Sequence, residues 1–197
     1  MQRIEALGKI SDDPNCLTRT FCSPAMRRAN AVVGSWMREA GMRVRSDALG
    51  NLIGHFPAVP LKSKIENRKS RTLLLGSHLD TVRNAGKLDG PLGVLIAVAC
   101  VQHLQDSKTK LPFCIEVVGF ADEEGVRYQS TYLGSKVLAG KFNLRDLKRL
   151  DRDGVSMIFI PCRGGVSHRP DEYSSPAQIK TGVEILTHTL AKLSSQE

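Results

Sequence analysis

The chain has 197 residues, enough for one domain of ordinary size, and its 41% hydrophobic content supplies a real core and excludes a disordered polymer. Its net charge of +8 raises anionic partners, but the basic residues are scattered and aromatics make up only 5%; the densest run (Lys62, Lys64, Arg68, Lys69, Arg71) has no interleaved aromatics and reads as a solvated loop rather than a nucleic-acid surface. The five cysteines form no CxxC, three of them sit in apolar runs, and the longest apolar stretch, 92–101, is too short to span a bilayer, which together suit a soluble protein of a reducing, cytoplasmic compartment without a membrane partner.

Taken in order, Ser23-Pro24 is a helix start with serine as N-cap and proline at the first helical position, and Gly41 is its stop. Residues 42–47 and 51–56 read as a hairpin, and 57–71 as a polar loop. Residues 72–76 form an apolar strand that runs into a motif loop, followed by a helix over 91–105 that is apolar on nearly all sides and therefore packed against a sheet and a further neighbour. A second buried strand follows at 113–120. A short helix is expected over 133–139, ending at Gly140, and a third buried strand over 157–160. Ser175-Pro176 caps a last helix whose apolar stripe is Ile179, Val183, Leu186, Leu190 and Leu193. The alternation of strands and helices points to an α/β sandwich with a largely parallel sheet.

The chemistry gathers at two strand ends. Gly-Ser-His-Leu-Asp-Thr-Val-Arg-Asn-Ala-Gly-Lys-Leu-Asp-Gly (76–90) places His78, Asp80 and Asp89 at the mouth of one strand and before a helix. The other strand ends in Asp122-Glu123-Glu124-Gly125. A divalent ion that activates water needs imidazole and carboxylate ligands with an open position. His78 supplies the imidazole, and Asp80 is placed to accept its second ring N–H. Asp89 has oxygens that could bridge two ions, although a lone aspartate there also suits a helix N-cap. The adjacent glutamates point different ways, so one can ligate while the other serves as a base. His55, His103 and His188 read as structural or surface residues, whereas His168, after the third strand, is a candidate near the site. Gly134 onward departs from a phosphate loop in spacing and in lacking the required hydroxyl.

The segments Gly-Ser-His-Leu-Asp-Thr-Val (76–82), Asp-Gly-Pro-Leu-Gly-Val (89–94), Asp-Glu-Glu-Gly-Val-Arg (122–127) and Leu-Gly-Ser (133–135) resemble the di-metal amidohydrolases that include allantoate amidohydrolase, ureidoglycolate amidohydrolase and N-carbamoyl-L-amino-acid hydrolase, similar in turn to aminoacylases and co-catalytic zinc carboxypeptidases. Residues 157–172 resemble the C-terminal strand and loop of the same enzymes. The resemblance implies a zinc-exopeptidase-like three-layer α/β sandwich with a mixed, largely parallel sheet. It implies two divalent ions (zinc or manganese, with cobalt possible) and a small-molecule ureide or carbamoyl substrate. By position, His78 is a ligand of one ion, Asp89 bridges both, Glu124 is a ligand of the second, Glu123 is the general base and Asp80 orients His78. Arg127 and His168 are substrate-binding candidates.

Enzymes of that family are about twice as long and pair as homodimers through a lid and dimerisation domain. The His-Ile-Glu-Gln-Gly and Gly-Ala-Gly-His-Asp segments that flank this domain in the family do not occur here. The sequence therefore reads as residues 1–156 of a catalytic domain joined to its C-terminal strand and helix, 157–197, with the lid/dimerisation domain absent, the metal pair weakly held and turnover weak or lost. The alternative reading is a non-catalytic metal- or partner-binding remnant of such an enzyme.

Overall fold

The computed structural model describes residues 1–59, 71–126, 131–140, 170–171 and 173–195, with side chains through 192. Most of the basic run, Arg127, the 157–160 strand, Cys162, His168 and the Ser156/Met157 seam lie outside the described residues.

The chain begins with a short helix that the sequence reading missed, α1 (Gln2–Gly8), which buries Ile4 and Leu7. At seven residues, with no side-chain cap, it is held by packing rather than by propensity. Helix α2 (Pro24–Glu39) starts as its sequence dictates, with the Ser23 side chain accepting from the Met26 N–H. The hairpin follows as β1 (Arg43–Ser46) and β2 (Leu52–Phe56), joined by a turn in which one Asp47 carboxylate oxygen accepts from the N–H groups of Leu49, Gly50 and Asn51.

Strand β3 (Thr72–His78) extends two residues beyond its apolar run and so carries His78 itself. Helix α3 (Pro91–Asp106) buries ten side chains, as its all-round apolar character requires. Strand β4 is Cys114–Phe120, and α4 (Leu133–Leu138) is a helix of little more than one turn. The last helix, α5 (Pro176–Ser195), opens with a reciprocal cap: the Ser175 hydroxyl accepts from the Gln178 N–H, and the Gln178 side chain accepts from the Ser175 N–H. Leu190 is buried, and Ile179, Val183 and Leu186 pack against the core, whereas His188 is exposed.

The four strands form one mixed sheet in the order β1-β2-β4-β3. The hairpin side is antiparallel, with β2 also antiparallel to β4, and the single parallel pair among the described strands is β3–β4. The sheet is mixed as expected, but among the described strands it is mainly antiparallel rather than largely parallel, and its parallel pair lies beside the motif loops. Gly54 faces Met37 and Met42, while Gly93 faces Ser77, so α2 and α3 cover the same face of the sheet. Helix α5 packs on α3 from outside, and its Thr187 hydroxyl lies 3.4 Å from the Cys100 sulfur. The described residues define two of the three expected layers. Cys16, Cys22, Cys100 and Cys114 are free thiols, and no helix among the described residues is long and apolar enough to cross a membrane.

Candidate metal centre

Because β3 and β4 run parallel with His78 paired to Phe120, both chains leave the sheet on the same edge. Residues 79–80 and 121–124 therefore emerge side by side. Helix α3 also starts at this edge, and its N-cap is Gly90 rather than Asp89, with no side-chain cap. The N-cap alternative for Asp89 is thereby removed.

His78, Asp89 and Glu124 come together, each with a ligand atom within 4.8 Å of the others. The imidazole Nε2 lies 3.6 Å from a Glu124 oxygen and 4.0 Å from an Asp89 oxygen. The other ring nitrogen, Nδ1, lies 2.9 Å from the Asp80 backbone carbonyl. A carbonyl can only accept, so Nδ1 carries a hydrogen; once the ring gives up its other proton, the Nε2 lone pair faces the two carboxylates. Burial opposes a charge on this ring, but Asp80 and Glu124 more than offset it and raise its pKa to about 9.

Asp80 takes a further part beyond the one its spacing suggests. Its carboxylate stands 3.5 Å from Nδ1, so the backbone carbonyl of the same residue is the nearer partner of the ring. The carboxylate accepts the N–H of Glu123 at 3.2 and 3.3 Å and of Glu124 at 3.1 Å. Asp80, 1% exposed, staples the two motif loops together. Its own segment is anchored by Arg19, whose fully buried guanidinium donates to the Leu79 carbonyl at 2.6 Å and to the carbonyls of Leu7 and Ile10. Beside it the Arg19 N–H donates to the Thr81 hydroxyl, and the Thr81 N–H donates to the Arg19 carbonyl.

Glu123 turns away from the three-donor group. Its carboxylate accepts from the Ser135 N–H at 2.8 Å and the Ser135 hydroxyl at 3.0 Å. Burial pushes the Glu123 carboxyl up, and the Ser135 donors hold back part of that rise. Ser135 stands in the Leu-Gly-Ser segment but had no role assigned. The signal was a serine in the first turn of a short helix, a dozen residues after a glutamate pair. Asn51 and Arg19 were missed altogether, since their contacts are non-local. Arg127 and His168 lie outside the described residues.

The donor set fits a divalent cation. One imidazole nitrogen and two carboxylates converge on a half-buried point, a combination suited to zinc, manganese or cobalt. The backbone of Gly90 makes room for it: a Cβ there would lie 2.3–2.6 Å from three atoms of the His78 ring. Among the described residues this is the one such group.

Comparisons with known proteins agree with this architecture. The family model described as peptidase family M20/M25/M40 matches residues 74–152. The chain is 41% identical over 157 residues to an allantoate deiminase of Arabidopsis thaliana, covering 79% of this chain and 29% of that protein. It is 37% identical over 187 residues to an N-carbamoyl-L-amino acid amidohydrolase of Geobacillus stearothermophilus, covering 93% of this chain and 44% of that protein. Among solved structures it is similar to a hydantoinase/carbamoylase family amidase from Burkholderia ambifaria, with a TM-score of 0.64 and 31% identity over 79% of this chain and 37% of that one. The chain thus spans less than half the length of these relatives. Both motif loops fall within the segment that matches peptidase family M20/M25/M40, residues 74–152, and the chain is similar to allantoate and N-carbamoyl-L-amino-acid amidohydrolases.

Proposed function

We propose that this chain binds a divalent metal ion through His78, Asp89 and Glu124, and that the site belongs to the metal-dependent hydrolysis of a non-peptide C–N bond. The convergence of three ligand atoms within 4.8 Å, beside a second glutamate on the same loop, carries the reading. The substrate class is a small ureide or carbamoyl compound of the allantoate, ureidoglycolate or N-carbamoyl amino acid type, supported by the names of the relatives. When bound, a divalent ion supplies Lewis acidity toward the scissile carbonyl and toward water.

The chain's own residues do the rest. Nδ1–H of His78, held by the Asp80 carbonyl, keeps Nε2 available as a ligand. Glu123 is the general base: its carboxylate takes a proton from the attacking water and delivers it to the departing nitrogen as the C–N bond breaks. Both of its oxygens rest on Ser135, so reaction requires one oxygen to turn toward the water while the other keeps its donor.

Turnover by this chain alone is weak, because the family centre holds a pair of ions and the described residues bring one group of three ligands together. The same observation favours a second reading, a metal-binding remnant without hydrolysis. Calorimetric titration with Zn²⁺ or Mn²⁺, followed by hydrolysis assays on allantoate and N-carbamoyl-L-amino acids, separates them. Metal binding that is lost in Asp89→Asn, with slow hydrolysis abolished in Glu123→Gln, supports the enzyme. Metal binding with no hydrolysis supports the remnant, and no metal binding at all sinks both.

A further inference from the structure

Asn51 is fully buried at the foot of β2, and every polar atom of its side chain is used. Its Oδ1 accepts the Ala121 N–H at 3.0 Å. Its Nδ2 donates to the Gly134 carbonyl at 3.1 Å and to an Asp47 carboxylate oxygen at 2.7 Å. Ala121 opens the loop that carries Glu123 and Glu124. Gly134 closes that loop and directly precedes Ser135, whose N–H and hydroxyl hold Glu123. One amide therefore grips both ends of the glutamate loop, 70 and 83 residues away in sequence, and ties them to a hairpin turn.

The fit is close. A Cβ on Gly134 would sit 2.6 Å from the Asn51 oxygen and 2.9 Å from the Ala121 nitrogen. The Asp47 carboxylate fixes the amide orientation, since it can only accept and so selects the NH₂ end. With that end set, the oxygen must face Ala121. A side chain that was merely filling space would have no need of three directed bonds, and a buried amide with any of them missing would be costly.

We propose that Asn51 is a positioning residue for Glu123, acting through Gly134 and Ser135. This rests on the reading of Glu123 as the general base, but its test can be read without turnover. The isosteric change Asn51→Asp keeps the acceptor for Ala121 and removes the donor to Gly134. Amide hydrogen exchange measured by NMR on the 197-residue chain should then show the Ser135 N–H exchanging roughly tenfold faster, the effect of losing one hydrogen bond, while α3 core amides keep their wild-type rates. The Glu123 carboxyl ¹³C signal should move in the same direction as in Ser135→Ala. Asp47→Asn combined with Asn51→Asp removes the new charge repulsion yet leaves the Gly134 carbonyl unpartnered, so the Ser135 effect should persist. Its disappearance in that pair, or an unmoved Glu123 signal in Asn51→Asp, overturns the proposal. If Asn51→Asp fails to fold, Gly134→Ala strains the same joint with Asn51 intact and must give the same two signatures. Where hydrolysis is measurable, kcat should fall about tenfold or more with KM unchanged, as expected for a misplaced base. Unimpaired hydrolysis in Glu123→Gln would remove the base assignment while leaving the exchange result standing, so the two failures are distinct.

Discussion

Gly90→Ala is the sharpest perturbation of the metal centre that leaves every ligand in place. Gly90 has φ +79° and ψ −68°, a sparsely populated region where a side chain costs about 1–3 kcal/mol. Gly50, at φ +95° with nothing within 4 Å of an added Cβ, supplies a reference variant, Gly50→Ala, that carries positive-φ strain without a clash. At Gly90 the added carbon would meet Cε1, Nδ1 and Nε2 of His78 at 2.3, 2.4 and 2.6 Å. Ordinary carbon contacts begin near 3.5 Å, so the ring must retreat by roughly 1 Å. Retreat breaks the bond from Nδ1 to the Asp80 carbonyl, worth about 1–3 kcal/mol with a partly charged donor. It also moves Nε2 well beyond the roughly 0.2 Å tolerance of a metal–ligand distance. Gly90→Ala should therefore be about 2 kcal/mol less stable than Gly50→Ala in urea denaturation and should bind Zn²⁺ at least ~100-fold more weakly by calorimetry, taking the upper end seen for disturbed ligand orientation as a floor. Equal zinc affinity in the two variants would show that His78 is not held against Gly90 and would refute the reasoning.

Two further predictions concern protonation. The His78 ring is raised from 6.5 to about 9 in the folded chain, so its stabilising contribution is fully present below pH ~6.5 and is lost as pH rises through about 9; at 1.36 kcal/mol per pH unit the loss is bounded at roughly 3 kcal/mol. Melting temperatures of the metal-free chain from pH 6 to 10 should fall more steeply than those of His78→Gln, and parallel curves would contradict the assignment; zinc binding below pH 9 should release a proton, measurable by calorimetry in buffers of different ionisation enthalpy. Asp122 is 1% exposed with one carboxylate oxygen lacking a hydrogen-bond partner, and burial together with the neighbouring Asp80 raises its carboxyl from 3.8 to about 6. Its folded state holds the proton more tightly, so destabilisation sets in as pH climbs from ~3.8 to ~6 and persists above; Asp122→Asn should be about 1–3 kcal/mol more stable than wild type at pH 7.5 and indistinguishable at pH 4, a gain whose absence in thermal melts at pH 7.5 would count against the buried charge.

What the sequence made legible was local chemistry with a strong period or a strong cap. Ser23-Pro24 started α2 where it should, the all-apolar run made α3 a buried helix, and the turn around Ala48-Leu49-Gly50 made a hairpin. The ligand residues were legible too, because His78 and the glutamate pair each follow an apolar strand. Roles that depend on a partner far along the chain were not. Asp80 looked like a carboxylate partner for the imidazole two residues away, and that local pairing hid its two bonds to main-chain groups of Glu123 and Glu124, more than forty residues on. Asn51 read only as the first residue of a hairpin strand, and nothing in the sequence marked Arg19, although it is fully buried against three backbone carbonyls. Short α1 escaped notice because two apolar residues in seven make no measurable period.

The parallel register of β3 and β4 explains why these hidden contacts accumulate where they do. Two parallel strands ending level at His78 and Phe120 send both following loops off the same edge, where after the bond from the Leu79 N–H to the Phe120 carbonyl the main-chain N–H groups of Glu123 and Glu124 need another acceptor. A buried carboxylate is well suited to that position, since it accepts two N–H groups at once and its burial is compensated by them. Asp80 fills it, and in doing so fixes the distance between the loop that bears the imidazole and the loop that bears the glutamates. Its backbone carbonyl sets the ring tautomer while its side chain sets the Glu123–Glu124 main chain. Arg19 then holds the first loop from one side and Asn51 the second from the other. The ligand triad is thus built less by the ligands than by three buried polar residues that never touch its focus. A chain that kept His78, Asp89 and Glu124 but lost these three would retain the motif and lose the site.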